Sequence, residues 1–240
     1  MTERLNRYLS RSGVASRRAA DRLIATGSVL VNGERPPPGG RLVDPATDLV
    51  TVDGTEIRPP AVLTYIAANT PEGYIVSAAD PGSRPTVFSL VETDARLFAV
   101  GRLDMDSRGL LLLTDDGELA HRLAHPRYEV RKEYSVVVEG TVRQAELRRL
   151  RAGVDLDDGP TQPAQVDLLD VRRGRSRLLV SITEGRNRQV RRMLEALGHR
   201  IVDLQRTAYG PIRLGRLREG GWRRLRDAEV AALRDAAGLG

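Results

Sequence analysis

The stretch GRLDMDSRG, residues 101–109, places Asp104 and Asp106 among arginines and directly before the apolar run LLLLT. Carboxylates in such a setting can hold a turn, bind a metal ion, or act as a nucleophile or base. The spacing from Asp104 to Asp115 imitates a calcium loop, but Arg108 stands at a ligand position and the twelfth position is Asp instead of Glu. We therefore expect no metal site and a turn that presents a carboxylate.

Two further stretches carry residues suited to a polar cleft. In RKEYSV, Tyr134 alternates with valines on a predicted strand, so its ring faces either the core or a cleft. In EGRNRQVRRML, Asn187 is a predicted N-cap for a helix that carries Arg188, Arg191 and Arg192 on its first turns. Cations at a helix N-terminus oppose the helix dipole. An anionic partner, carboxylate or phosphate, explains them better than the alternative, a solvated arginine face.

The charge of the chain is segregated. The net charge is +6, and residues 172–226 contain sixteen Arg against four acids. Within this region, LQRTAYGPIRLGRLREGGWRRL is predicted to be rich in loops, and its Tyr209 and Trp222 are predicted to stack on unpaired bases. A concentrated basic stretch is typical of proteins that bind a phosphate backbone, although a solvated surface is the simpler alternative.

Composition excludes several classes of function. The chain has no Cys, which excludes disulfides, thiol catalysis and thiolate metal sites, and only three His, which supports a zinc site or a histidine triad poorly. The sequence contains neither an apolar stretch long enough to span a membrane nor a secretory signal core. We expect a cytoplasmic protein without cofactor or membrane association, and a monomer by default.

The hydrophobic pattern divides the chain into a small module, residues 1–58, and a larger α/β domain, residues 59–240, joined at IRPPA. The module is predicted to contain two helices, RLNRYLSRSG and RRAADRLIATG, the second capped by Ser16. Two strand regions follow, SVLVNG and the hairpin DLVTVDGTEI. The six arginines of the helices form the predicted RNA-binding surface of the module: Arg4, Arg7, Arg11, Arg17, Arg18 and Arg22.

The larger domain is predicted to alternate strands and helices. Residues 61–78 are predicted to form two strands around Asn69–Gly73. Further strands are predicted at RLFAV, GLLLLT, KEYSVVVEG, RSRLLVSITEG and HRIVDLQRTAYG. Helices are predicted at GELAHRLAHP, VRQAELRRLRAG and NRQVRRMLEALG.

The module resembles a known RNA-binding fold. RLNRYLSRSGVASRRAADRLIATGSVLVNG is similar to the S-four-like domain, named after a protein of the small ribosomal subunit. The resemblance implies that the basic helices lie on structured RNA. The alternative is an ordinary two-helix hairpin without an RNA partner.

Four stretches of the chain match one known family in order: NTPEG, GRLDMDSRGLLLLTDDGELAHRLAHP, KEYSVVVEG and EGRNRQVRRMLEALGHRIVDLQRTAYGPIRLG. Through them, nearly the whole chain resembles the ribosomal RNA pseudouridine synthases of the branch that carries an N-terminal S-four-like domain. The resemblance implies an α+β fold whose catalytic domain has a mixed, mainly antiparallel sheet crossed by a central cleft. GRNRQVRRM is closer to the enzymes of large-subunit RNA, because the small-subunit enzyme more often has a histidine before the glutamine.

The resemblance also implies roles for single residues. Asp104 is the catalytic carboxylate, Tyr134 stacks on the target base, and Arg191 pairs with Asp104 and orients it. Asp106 supports the turn. Thr70 stands where the family usually has lysine, so one basic contact is missing. Arg102 and Arg188 are supporting basic residues of the cleft, and the predicted RNA-binding residues of this domain are Arg102, Arg186, Arg188 and Arg192.

Isomerisation of uridine involves no redox change and no external group, so it needs no cofactor. The alternatives to a large-subunit enzyme are a small-subunit synthase and a non-catalytic RNA-binding factor of ribosome assembly. Asp104 discriminates between an enzyme and a binding factor, because a binding factor has no use for it.

Overall fold

A computed structural model describes residues 2–77 and 82–240 of the chain. These residues divide into two compact units. The first consists of residues up to 64 together with 94–96, and the second holds the rest. Among the described residues, no helix is long and apolar enough to cross a bilayer.

The first unit is built on two short helices and short strands. Leu5, Tyr8 and Leu9 are buried on one face of the first helix, as their spacing predicts. The Ser16 hydroxyl accepts a hydrogen bond from the Ala19 amide and so caps the second helix. The elements are β1 (Glu3–Arg4), α1 (Leu5–Arg11), α2 (Arg17–Thr26), β2 (Val29–Val31), β3 (Leu42–Val43), β4 (Val50–Val52) and β5 (Thr55–Glu56).

The second unit contains one large mixed sheet. The strands of this unit are β6 (Tyr65–Thr70), β7 (Phe98–Ala99), β8 (Arg108–Thr114), β9 (Lys132–Glu139), β10 (Asp155–Leu156), β11 (Gly159–Pro160), β12 (Gln165–Arg172), β13 (Arg175–Ile182), β14 (Ile201–Tyr209), β15 (Ile212–Arg213) and β16 (Trp222–Arg224). The order in the large sheet is β12-β13-β9-β14-β8-β6-β16, with β7 on β8 and β15 on β14. Only the β8–β14 pair is parallel among the described strands. The expected α+β fold with a mixed, mainly antiparallel sheet is confirmed.

Helices pack on this sheet and contribute to two of its cores. Leu110 and Leu112 of β8 pack into one core with two of the helices, whereas Leu111 and Leu113 enter a core on the opposite face. A strand buried on both faces has no polar side, which explains the uninterrupted leucine run. The helices are α3 (Gly117–Ala124), α4 (Gln144–Ala152), α5 (Gln189–Glu195) and α6 (Asp227–Ala236), with short 3₁₀ turns at Val87–Leu90 and Pro126–Tyr128.

The prediction of two strands within residues 61–78 is wrong in its second half. β6 forms, but the chain after it makes only an isolated bridge between Ile75 and Thr86. The Gly73 amide donates to the Met105 carbonyl at 2.7 Å, which directs the chain away from β6. Both edges of β6 are already paired, with β8 and β16. Ala78, the last residue of the predicted segment, lies outside the described residues.

Glu229 joins α6 to β16. The Arg223 guanidinium donates to both of its carboxylate oxygens, at 2.8 and 2.7 Å, and lowers the pKa of Glu229 to about 2. Because the folded-state pKa lies below the ordinary 4.5, this stabilisation is complete above pH 4.5 and is lost as the pH falls towards 2.

We therefore expect Glu229→Gln to lower the free energy of unfolding at pH 7 by about 1–2 kcal/mol, allowing for the exposure of Arg223. The difference from wild type should vanish near pH 2. Urea unfolding of both proteins across this range measures it, and a difference that does not change with pH would contradict the assignment.

Candidate active site

A cleft of about 210 Å³ lies in the second unit, on the α5 side of the sheet. Most of its lining comes from four segments: the turn after β7, the start of β9, the start of α5 with the segment that leads into it, and β14. The cleft brings together six of the predicted site residues: Arg102, Asp104, Tyr134, Arg186, Arg188 and Arg191.

Asp104 lies in a tight turn between β7 and β8. The Ser107 amide donates to the Asp104 carbonyl at 2.9 Å, and Leu103 is buried in the core beside it. The buried leucine anchors the turn, and the next residue, Asp104, lines the cleft. No ion pair involves its carboxylate among residues 2–77 and 82–240.

Asp106 differs from Asp104 in its partners. Arg188 binds it with two hydrogen bonds, at 3.0 and 2.8 Å, and Arg191 Nε lies 3.3 Å from its Oδ1. The hydrogen bonds from Arg188 and the charge of Arg191 lower the pKa of Asp106. Asp106 is thus a neutralised group that ties the turn to the beginning of α5.

The expected ion pair between Arg191 and Asp104 is absent from this structure. The Arg191 guanidinium instead contacts Asp106 through its carboxylate and carbonyl, and donates to Ser107 Oγ at 3.2 Å. The physical reason is the turn, which directs the Asp106 side chain towards α5 and leaves Asp104 on the cleft side. Arg191 therefore fixes the backbone two residues after Asp104 and does not contact its carboxylate.

The N-cap of α5 also differs from the prediction. Arg188, and not Asn187, occupies the cap position, in a left-handed conformation with φ 49° and no capping side chain. Gln189 accepts a hydrogen bond from the Arg186 amide through its side chain. This left-handed residue reverses the chain locally and brings Arg188 to Asp106.

Tyr134 lies on β9 with its ring at the cleft. It is half-buried and packs against the core formed by β9, β13, α4 and α5. In the sheet it is directly opposite Val180 on one side and Arg206 on the other. A ring that is held on one face and open at the cleft can receive a planar group by stacking.

The remaining predicted cleft arginines differ in their availability. Arg102 is exposed at the cleft. Arg186 donates to the carbonyl oxygens of Gly159 and Pro160, and Arg192 binds Asp158, so both hold the β10–β11 hairpin. Arg192 does not line the cleft. Neither Arg186 nor Arg192 is a free cation in this structure.

The predicted stacking role of Tyr209 is wrong. Half of residues 204–225 lie outside strands, in agreement with the prediction of a loop-rich stretch, and the other residues belong to strands. They form most of β14, with β15 and β16. Tyr209 is fully buried, and its hydroxyl donates to the Leu123 carbonyl at 2.8 Å, so no base can reach its ring face. Trp222 lies on β16 and packs against a core.

Two residues at the floor of the cleft were not among the predicted site residues. Lys132 and Arg206 both line the cleft, and both are almost completely buried. One signal was present, because Lys132 is the only lysine of the chain and lies two residues before Tyr134, on the same face of the strand. No sequence signal identifies Arg206, which depends on the register between β9 and β14.

In the first unit, the six predicted RNA-binding arginines fall into two groups. Arg7 and Arg11 form ion pairs with Glu3. The other four have exposed side chains on the surface of α1 and α2 or at their starts: Arg4, Arg17, Arg18 and Arg22. Across the described residues, no three His, Asp or Glu side chains form a group that could hold a metal ion.

Comparison with known proteins agrees with this fold. Residues 64–196 match the sequence model of the RNA pseudouridylate synthase family, and residues 3–35 match the S4 domain. A solved structure described as a pseudouridylate synthase covers 96% of this chain and 99% of its own, with a TM-score of 0.70 and 30% identity.

Full-length relatives carry the same description. An uncharacterized RNA pseudouridine synthase of Aquifex aeolicus is 43% identical over 100% of this chain and 96% of its own length. Ribosomal large subunit pseudouridine synthase B of Bacillus subtilis is 39% identical over 99% and 98%. The chain therefore belongs to the RNA pseudouridylate synthase family, and the expectation of an isomerase that acts on RNA is confirmed.

Proposed function

We propose that this enzyme converts a specific uridine of large-subunit ribosomal RNA to pseudouridine. The substrate assignment is supported by the relatives named ribosomal large subunit pseudouridine synthase B, which this chain matches over almost its whole length. Ribosomal RNA as substrate also favours action in the cytoplasm, and we take the monomer as the active form.

The observation that carries the chemical part of the proposal is the contrast between the two carboxylates of the turn. Asp106 is neutralised by Arg188 and Arg191, whereas Asp104 lines the cleft without an ion pair among the described residues. A carboxylate that only held the turn would be expected to have a partner. Asp104 is instead available to a substrate, as a nucleophile or base must be.

Isomerisation breaks the N1–C1′ bond, rotates the base and joins C5 to C1′. Asp104 serves this reaction by attacking C1′ or by removing a proton from the sugar. Arg191 acts through the turn, because its contacts with Asp106 and Ser107 hold the backbone that carries Asp104.

The Tyr134 ring stabilises the target base after the base has left its stack in the RNA. A uridine within structured RNA must leave its stack, which costs a few kcal/mol. Stacking on the Tyr134 ring returns about 1–3 kcal/mol, and phosphate contacts from exposed cations such as Arg102 add to it.

The substrate assignment is tested by mapping pseudouridines in ribosomal RNA from cells with and without this gene. We expect the loss of one modification in large-subunit RNA, restored by the wild-type protein and not by the Asp104→Asn variant. Loss of a small-subunit modification, or of none, would contradict the assignment.

We also propose that residues 1–58 recognise the RNA through the exposed arginines of α2. Replacing Arg17 and Arg18 together by Ala should weaken RNA binding about tenfold and reduce the slope of log K against log salt by about one to two. Fluorescence titrations at several salt concentrations measure both quantities.

The matched control replaces Arg148 and Arg149, an exposed pair on α4, and changes the net charge equally. If both double variants bind RNA equally well, α2 is not the recognition surface.

A further inference from the structure

The floor of the cleft contains two cations for which the proposed function gives no role. Lys132 is 5% exposed and Arg206 is 2% exposed. The Lys132 ammonium donates to the Thr183 carbonyl at 3.2 Å. Arg206 donates from Nε to the Leu110 carbonyl at 2.6 Å and from Nη1 to the Arg102 carbonyl at 3.1 Å. All these partners are neutral carbonyl groups.

No carboxylate within the described parts of the chain compensates these two charges. Neither residue forms an ion pair there, and Nη2 of Arg206 has no hydrogen-bond partner. Burial and the neighbouring Arg206 lower the pKa of Lys132 to about 8. Two buried like charges without an anion are costly, and apolar side chains would pack there at lower free energy.

The Tyr209 ring compensates part of the cost of burying these two charges. The Tyr209 ring centroid lies 5.3 Å from Lys132 Nζ and 5.2 Å from Arg206 Cζ. Cation–π contacts of this kind offset only a fraction of the cost of burying a charge. The site thus retains a positive charge and an unused N–H donor at the cleft floor.

Both cations are adjacent to the ring on which the base is proposed to stack. Lys132 precedes Tyr134 by two residues on β9, so the two side chains lie on the same face. Arg206 is the residue of β14 directly opposite Tyr134, where side chains are close neighbours. A planar group stacked on Tyr134 therefore lies beside both Lys132 and Arg206.

We propose that Lys132 and Arg206 form an oxyanion site that stabilises the uracil base while it is detached from the sugar. This inference rests on the proposed function of Asp104 and Tyr134. When the N1–C1′ bond breaks, its electron pair leaves with the base, and the negative charge spreads over N1, O2 and O4. At this stage C1′ is bonded to the Asp104 carboxylate, or C2′ has transferred a proton to that carboxylate.

The charge on the base is transient. After the base rotates, C5 bonds to C1′ while the Asp104 carboxylate leaves C1′ or returns its proton to C2′. The proton of C5 then leaves and N1 takes up a proton, so the product is an isomer of the substrate and Asp104 is regenerated. Neutral uridine and neutral pseudouridine gain little from the cations. Lys132 and Arg206 act on a species that is charged only between these steps, and this selectivity lowers the barrier.

The test varies the stability of the base anion independently of the protein. RNA carries either uridine or 5-fluorouridine at the target position, and single-turnover assays follow cleavage of the N1–C1′ bond. Fluorine withdraws electrons and stabilises the base anion without help from a cation. We expect Lys132→Met to slow cleavage of uridine RNA about 100-fold and of 5-fluorouridine RNA about tenfold or less.

Four further measurements complete the experiment. Lys132→Arg keeps the charge and should recover most of the rate. The RNA affinity of Lys132→Met should stay within about twofold of wild type, since the charge on the base develops after binding. Arg131→Met removes an equal charge from an exposed neighbour and should change neither rate. The melting temperature of Lys132→Met at pH 7 should be no lower than wild type, because the variant removes a buried charge.

Equal losses on the two RNAs would overturn the proposal, as would a weaker RNA affinity with an unchanged rate at saturation, which would indicate a phosphate contact. The wild-type arm reports separately on the proposed function. If wild type forms no pseudouridine in ribosomal RNA, the proposed function itself fails, whatever the ratio between variants.

Discussion

Asp104→Asn should abolish pseudouridine formation, with a loss of at least about 10⁴-fold in the single-turnover rate. The amide has the size of the carboxylate but can neither attack C1′ nor accept a proton from the sugar. Because Asp104 forms no ion pair within the described residues, the substitution should leave the fold and the cations of the cleft intact. RNA affinity is therefore expected to be unchanged.

The matched control is Asp106→Asn, the same change two residues along the same turn. Asp106 is bound by Arg188 and Arg191, so its loss should loosen the turn and slow the reaction by about tenfold. Single-turnover assays with RNA affinity measured in parallel separate the two variants. Turnover by Asp104→Asn near the wild-type rate would remove Asp104 from the chemistry.

Gly109→Ala should destabilise the protein by about 3 kcal/mol or more. Gly109 pairs with Arg206 in the parallel contact between β8 and β14, with φ +109°, a conformation that favours glycine. An added Cβ would lie 2.8 Å from the Arg206 amide nitrogen and would also collide with the Arg206 carbonyl. Both obstacles are backbone atoms within a sheet, so neither can move alone.

The control for this prediction is Gly140→Ala. Gly140 also has a positive φ, +81°, but an added Cβ there meets nothing within 4 Å. It should cost only the conformational strain, about 1 kcal/mol. Urea unfolding at pH 7 compares the two variants, and equal midpoints would show that the close approach of β8 to β14 is unimportant.

Much of the local structure could be predicted from the sequence, because it depends on near neighbours. Apolar spacing located α1 and α2, Ser16 was identified as a cap, and the leucine run was identified as a strand. The predictions that failed concern contacts with distant parts of the chain. The second strand predicted within residues 61–78 was lost because both edges of β6 were already paired by distant strands.

In the candidate site too, features that depend on local sequence were predicted and features that depend on distant contacts were not. Motif resemblance selected Asp104, Tyr134 and Arg191, and the structure places all three at one cleft. The resemblance gave the wrong partner for Arg191. The directions of the two aspartate side chains in this turn depend on how the turn packs against α5. Tyr209 was misassigned because interleaved aromatic and basic residues do not reveal which rings are buried.

By itself the sequence determined the class of the protein, the catalytic candidates and the absence of thiol chemistry, since these depend on residue type and on motifs that lie within short segments. Only the tertiary structure decided which carboxylate is bound by arginines and which lines the cleft without an ion pair among the described residues, and it alone placed Arg206 opposite Tyr134. The first feature depends on how the turn packs against α5, and the second on the register of strands far apart in the chain. Register is set by the packing of the whole sheet, and no local pattern encodes it.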